Sequence, residues 1–468
     1  MSVRSSWAGL VDWLKKDETY LLFLRCALLL IVVLYFGTSL CRRPDNDEYE
    51  HLHKAWLMKE GVIPLYRLTY LHSPMLEWLT IPIMRVTGES AGIFRAMRTV
   101  MFLISCGSLW LMYRITRRLF ESPVQAILAV LLLLSNTVWI MKSFEIRPDN
   151  LMLVFALLSF LALMRYYAGR SPWHLLWFGA CAALSVLGKQ NAAIYLLPVS
   201  AILVWDTLIR ARWLGAKTVV VGLLVVAALL MTHPAQSFLA ANMRHLVPDD
   251  NKFWPWNHLR GIWDFNRVAF LLFLFQLFGP LSLAEKYRSF KPYLVGIPLT
   301  CFTFLFLMNR PFFQEMIVMT VFACVVASNL LVAILRAVDW KIRYAISLFV
   351  IAPAVITVPC EAITKPMADD LAITRAILEI SQKNEQVFDA YGKAVFRPHP
   401  LDPAFLVYHP EQFLPRFDAL RRSSVKYVIK DGIYFDLLPR ATLDWIGSNF
   451  TESAANTNIL VRKTPPAP

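Results

Sequence analysis

The chain is divided by apolar runs about as long as a bilayer is thick, and this pattern limits its fold more than any other feature. A spanning helix takes about 20 mostly apolar residues, because lipid cannot satisfy exposed backbone N–H and C=O groups. The first run is 19–40. Others centre on 94–113, 124–140, 150–166, 173–187, 192–208, 218–231, 268–283, 293–308, 313–335 and 345–358. The stretch 173–208 is nearly continuous and divides at Gly188-Lys189-Gln190. The expected fold class is an all-α polytopic membrane protein with about eleven transmembrane helices. Only 17% of the residues are charged, against about 25% in soluble domains.

Alternate connections share a charge sign. RITRRLFES, RYYAGRSP, RARWLGAK, EKYRSFK and RAVDWKIR are short and basic, as are Arg4, Lys15 and Lys16 near the N-terminus. Such a bias marks the cytoplasmic side. It also accounts for the net charge of +14 without nucleic acid. The opposite, extracytoplasmic side receives 41–92, 141–148, 189–190, 233–266, 309–311 and everything after 358. The amphipathic first eighteen residues precede a run with no small-residue cleavage site, which reads as a retained first helix. Of the seven cysteines, Cys41 and Cys360 sit at the outer ends of two predicted helices. Spacing leaves open whether they pair.

Two long outer loops, 41–92 and 233–266, belong to a membrane domain spanning 1–360. Trp56, Trp78, Trp254, Trp256 and Trp263 suit the lipid interface, and 51–59 predicts a short amphipathic helix lying on the surface. From 361 to 468 the composition is that of a soluble protein. Helices are expected at 366–383, 410–422 and 439–449, and strands at 386–391, 405–408, 425–431 and 458–462. The alternation predicts a small α/β domain outside the membrane.

Chemistry-bearing side chains gather on the outer face. The first loop supplies Asp45, Asp47, Glu48, His51 and His72. FEIRPDN supplies Glu145, Arg147 and Asp149. Lys189 interrupts an apolar stretch, and the fourth outer landing has His233, Gln236 and His258. NRPFFQE adds Arg310, Gln314 and Glu315. Each has a plain alternative. Acids favour helix N-termini, Pro148 suits a helix first turn, and Lys189 and Arg310 can snorkel to the interface. The recurrence of acids and cations together on one face favours a site. Acids there can assist a departing proton or hold a cation, and Lys or Arg can neutralise a phosphate leaving group. Asp45, Asp47 and Glu48 can together hold Mg²⁺ or Mn²⁺. A transporter or flippase of a lipid-linked or anionic substrate is the alternative, since intramembrane charges mark substrate paths. Against it, no internal repeat is seen and the acids gather at one mouth.

Taken in order, these motifs resemble the C-type (GT-C) multi-spanning glycosyltransferases that use polyprenyl-phosphate sugars. That group includes protein O-mannosyltransferase-like enzymes and the lipid A aminoarabinose transferases. The resemblance rests on Asp47-Glu48-Tyr49, the helix 53–61 ending at glycine, Tyr70–Trp78, Arg147-Pro148-Asp149, Gly188-Lys189-Gln190 and the NRPFFQEMIVM stretch. It implies a transferase of the bacterial inner membrane, working on the periplasmic face by inversion. The donor would be a polyprenyl-phosphate sugar and the acceptor a lipid, glycan or protein. Asp47 would be the catalytic carboxylate, supported by Glu48. Asp149 would lie near sugar or acceptor, Lys189 and Arg310 near the phosphate, and Glu145, Arg147, His72 and Gln314 would also bind substrate. Many members have Lys before the proline of the first outer loop. Here that position is Ser73, and His72 or Arg67 would have to substitute.

Overall fold

The computed structural model describes residues 12–62, 74–169, 171–189, 192–209, 267–307, 317–364, 366–400, 420–430, 433–436 and 438–463. Along the membrane part run α1 (Asp17–Cys41), α2 (Asn46–Lys59), α3 (Met75–Thr87), α4 (Gly92–Phe120), α5 (Pro123–Leu134) and α6 (Thr137–Lys142). They are followed by α7 (Pro148–Gly169), α8 (Pro172–Gly188), α9 (Ala192–Ile209), α10 (Arg267–Leu277), α11 (Lys291–Leu307), α12 (Ile317–Ala337) and α13 (Trp340–Thr364). Five of these, α1, α4, α7, α12 and α13, are long and apolar enough to cross a membrane. The predicted run 218–231 lies outside the described residues.

Helix α12 is the interior member, with 83% of its apolar window buried, against 22% for α1, which therefore faces lipid. Helix α7 packs along α8, α1 along α13, and α4 against both α5 and α7. Aromatic edges fill the centre, with Phe160 of α7 meeting Phe322 at 4.9 Å and Phe290 at 5.6 Å.

The run 124–140 forms two helices, not one. Ser135 leaves the helical path and donates its Oγ to Val350 O of α13 at 2.6 Å. Asn136 then caps α6 by accepting from Trp139 N at 3.1 Å. Short polar side chains that offer the backbone another partner are favoured at such breaks.

The first outer loop is largely helical. The helix predicted at 51–59 begins at Asn46, and most of it is buried, including Trp56. It is covered by α3, a helix missing from the sequence reading. At 13 residues α3 is about 20 Å long, too short to span. Trp78 keeps its exposure at 50%, as an interfacial residue would.

Beyond residue 366 come α14 (Met367–Ile380), β1 (Val387–Asp389), β2 (Tyr427–Ile429), α15 (Ile433–Asp436), α16 (Arg440–Asn449), β3 (Phe450–Glu452) and β4 (Ile459–Arg462). The sheet order is β1-β2-β4-β3, with β1 and β2 parallel and the other pairs antiparallel. Alternation along the strands sends Phe388 and Val428 toward Ile446, and Val387, Tyr427 and Ile429 toward Ile373 and Ile377 of α14. Both faces are therefore covered. The strand read at 405–408 and most of the helix read at 410–422 lie outside the described residues. This segment docks on α2. Val395 O lies 2.7 Å from His53 Nδ1, and Arg43 Nε meets Asp370 Oδ2 at 2.7 Å. Gly392, at φ +101°, sits so close to Tyr49 that a Cβ there would lie 3.0 Å from the tyrosine Cβ.

Candidate active site

Two short connections and one helix end build the site. The first connection runs from α1 into α2. Asp45 is the N-cap of α2 in a reciprocal capping box: its carboxylate accepts from Asp47 N, and its own N–H donates to Glu48 Oε1 at 2.9 Å. The cap fixes the first turn, so Asp47 and Glu48 diverge from one backbone point.

Glu48 turns inward and is fully buried. Arg98 of α4 grips it through Nε at 2.9 Å and Nη2 at 2.5 Å, and Ile146 N donates to it at 3.1 Å. Arg98 is itself fully buried and also donates to the carbonyls of Ser39, Arg42 and Arg43. All five of its donor positions are engaged, the complete capacity of a guanidinium. This pair locks the end of α1, the start of α2 and the α6–α7 connection onto α4.

The second connection is FEIRPDN, between α6 and α7. Arg147 lies among four carboxylates. It contacts Asp47 through Nη2, Glu145 at 3.3 Å, Asp149 at 3.7 Å and Asp45 at 3.9 Å. Burial lowers the Arg147 pKa, but Asp47, Glu145 and Asp149 outweigh it and hold the guanidinium well above its ordinary value. Glu145 is also contacted by Lys142 at 3.0 Å and by Arg42 at 3.1 Å, yet burial raises its pKa. Asp45 receives Lys142 Nζ at 2.7 Å. Burial opposes its ionisation, but Lys142 and Arg147 bring its pKa down to about 2.

The third component is the end of α8. Lys189 leaves the helix in extended conformation and donates to Asp149 at 2.8 Å. Gly188 makes this approach possible. A Cβ there would lie 2.9 Å from Met152 N and 3.1 Å from its Cα, so a larger residue would push α8 off α7.

Exposure then orders the network. The side chains of Asp47 and Asp45 keep 18% and 24% of their surface, and Lys142 keeps 15%. Arg147, Lys189, Glu145, Asp149 and Glu48 lie beneath them, each at 7% or less. A ligand arriving from outside meets Asp47, Asp45 and Lys142 first.

The structure thus brings together Asp45, Asp47, Glu48, Glu145, Arg147, Asp149 and Lys189. His51 is not among them, pairing instead with Glu77 at 2.8 Å. His72, Arg310 and Gln314 lie outside the described residues, as do Arg67, Ser73, His233, Gln236, His258 and Glu315. Sequence reasoning missed Arg42, Arg98 and Lys142. Arg98 had a signal, being a charge within an apolar run, which calls for a partner. The Asp45–Asp47–Glu48 set does not fit a divalent ion. Glu48 is saturated by Arg98 and two backbone N–H groups, while Arg147 and Lys142 occupy the other two carboxylates. Among the described residues no three His, Cys, Asp or Glu side chains converge as a metal site. Cys41 and Cys360 are both free and exposed.

The chain is similar to known proteins in sequence over one region and in overall fold. The family model described as dolichyl-phosphate-mannose-protein mannosyltransferase matches residues 71–235. That range contains Glu145, Arg147, Asp149 and Lys189 and begins after Asp47. No curated protein matches the chain. Among solved structures, ArnT from Cupriavidus metallidurans bound to undecaprenyl phosphate superposes with a TM-score of 0.61 at 13% identity, covering 96% of this chain and 98% of that one. Its apo form gives 0.59 at 13% identity, covering 98% of each chain. The chain shares the fold of the ArnT structures, and over residues 71–235 it carries the sequence pattern of the mannosyltransferase family model.

Proposed function

We propose that the protein is a membrane glycosyltransferase that moves a sugar from a polyprenyl phosphate to an envelope lipid, glycan or protein. The carrying observation is the arrangement around Arg147, with four carboxylates about one guanidinium and Asp47 at its exposed rim. The likeness to a structure containing undecaprenyl phosphate supports the donor class. The reading places the network on the extracytoplasmic face of a bacterial inner membrane, above about eleven spanning helices. Residues 361–468 form the extracytoplasmic domain that seats α2.

In the proposed step the acceptor hydroxyl oxygen attacks the anomeric carbon. The bond from that carbon to the phosphate oxygen breaks, its electron pair leaves with the polyprenyl phosphate, and the configuration inverts. The hydroxyl proton passes to Asp47. A carboxylate is a weak base for a hydroxyl, but the proton is lost late in an oxocarbenium-like displacement. Arg147 holds Asp47 in place through its Nη2. Glu48 acts through Arg98 as a positioning group, and Asp149 with Lys189 forms the floor beneath sugar or acceptor. Cations on this face (Lys142, Lys189 and Arg310, with His72 in place of the family lysine) offset the charge developing on the phosphate. The test is purified protein in vesicles given a panel of polyprenyl-phosphate sugars. Release of polyprenyl phosphate with one donor, lost in Asp47→Asn, supports the reading. Full turnover by a folded Asp47→Asn protein contradicts it.

A further inference from the structure

A cavity of about 430 Å³ opens at the other end of α4, lined by Arg114, Arg117, Arg118, Glu121 and Lys286. It lies about twenty residues along α4 from Arg98, or about 30 Å, which is the thickness of a bilayer's hydrocarbon core. It therefore belongs to the membrane face opposite the acid–cation network. Its volume falls within the range of about 300–1,000 Å³ typical of small-molecule sites.

The lining is built from two elements tied together. Ala284 N donates to Leu119 O at 2.7 Å, joining the 3-10 turn Glu285–Phe290 to the last turn of α4. The chain leaves α4 through Glu121 in the left-handed region, at φ 53°. Lys286 then donates to Glu121 at 2.9 Å. That takes the one acid lining the cavity and leaves three arginines around it. Arg117 contacts Tyr113 Oη at 3.4 Å, and Arg114 stacks on Trp110, its guanidinium 5.3 Å from the ring centroid. Neither neighbour neutralises charge. Trp110 is 55% exposed, as a residue facing lipid near the cavity would be.

Lys and Arg on this side of a membrane serve topology, but topology needs no hollow. Clustered guanidiniums around a concave space match a phosphate, whose oxygens accept paired N–H donors. Basic pockets between membrane helices hold anionic headgroups for this reason. We propose that this cavity binds the phosphate of an anionic phospholipid headgroup, on the face opposite the transfer site.

The test uses the full chain, delipidated and placed in zwitterionic nanodiscs, with phosphatidylglycerol, phosphatidylcholine and inorganic phosphate as probes. Bound lipid is counted by native mass spectrometry. The wild type should retain phosphatidylglycerol at least tenfold more tightly than phosphatidylcholine, with affinity falling as salt rises. Arg114→Gln/Arg118→Gln should lose tenfold or more. Arg336→Gln, a basic change in the last turn of α12 that does not line the cavity, should lose nothing. Equal retention of the two lipids, or equal losses in the cavity and Arg336 variants, would overturn the site. Inorganic phosphate binding as tightly as the lipid would overturn the lipid assignment. If the double variant misfolds, Arg117→Gln, at an exposed position, decides: a loss of threefold or more supports the site, and unchanged binding overturns it.

Discussion

Replacing Arg98 with leucine tests how the site is held. The change leaves Glu48 a charged group with no surface exposure and without its bidentate partner, and removes donors from the carbonyls of Ser39, Arg42 and Arg43. Breaking a buried ion pair from one side costs about 3–5 kcal/mol, because the remaining charge stays desolvated. An unfolding entropy of about 2.1 cal/mol/K per residue, over the whole chain, makes each kcal/mol worth about 1 °C in Tm. Arg98→Leu should therefore lower Tm by about 3–5 °C. The double variant Arg98→Leu/Glu48→Leu should recover part of that loss, since replacing both partners by apolar groups is often near neutral. Arg98→Lys should not recover it, because an ammonium has three donors and no planar fork. The assay is thermal unfolding in detergent, followed by size-exclusion chromatography. A single variant within 1 °C of wild type, or a double variant whose loss equals the two single losses added, would refute the claim that this pair fastens α1, α2 and α4.

Gly188→Ala should lower Tm by about 1–3 °C through overpacking against Met152, and should depress transfer further by moving Lys189 from Asp149. Comparing Tm and activity with those of Gly179→Ala, where a Cβ meets nothing within 4 Å, isolates the effect. Asp45 contributes a pH dependence of definite sign. Its folded pKa is depressed from 3.8 to about 2, so its stabilisation is present above about pH 4 and is lost as pH falls through 2. The amount is about 2 kcal/mol. Lys142→Met, removing the cation closest to Asp45, should shrink that acid-limb loss in a pH titration of Tm.

How much of this was legible in the sequence depended on the physics of each part. Apolar run length located most of the helices among the described residues, because the lipid requirement is local to each segment. It failed at 124–140, where Ser135 ends α5 by donating to Val350 O of distant α13 and Asn136 caps α6 locally through Trp139 N. It failed also at α3, whose mixed pattern (MLEWLTIPIMRVT) becomes a covered helix only once it packs on α2. The acids and cations of Asp45–Glu48, Glu145–Asp149 and Lys189 could be listed from sequence, and the structure brings them together. Their division of labour could not. Asp47 and Glu48 are adjacent letters, and only the capping box and Arg98 distinguish a rim carboxylate from a buried one. The possible use of the same acids for a metal was equally readable, and the partners that occupy them come from α4, α6 and the α6–α7 connection.

The central claim is that Asp47 carries the transfer step, and one measurement tests it most directly. Wild type and Asp47→Asn, matched for Tm and placed in vesicles, are given a polyprenyl-phosphate sugar that the wild type uses. Polyprenyl phosphate and glycosylated acceptor are then counted together. The account predicts equal amounts of the two products from wild type, and a fall of about 10²–10⁴-fold in both for Asp47→Asn. Unchanged turnover by the variant, or product release that does not match acceptor glycosylation, would contradict it.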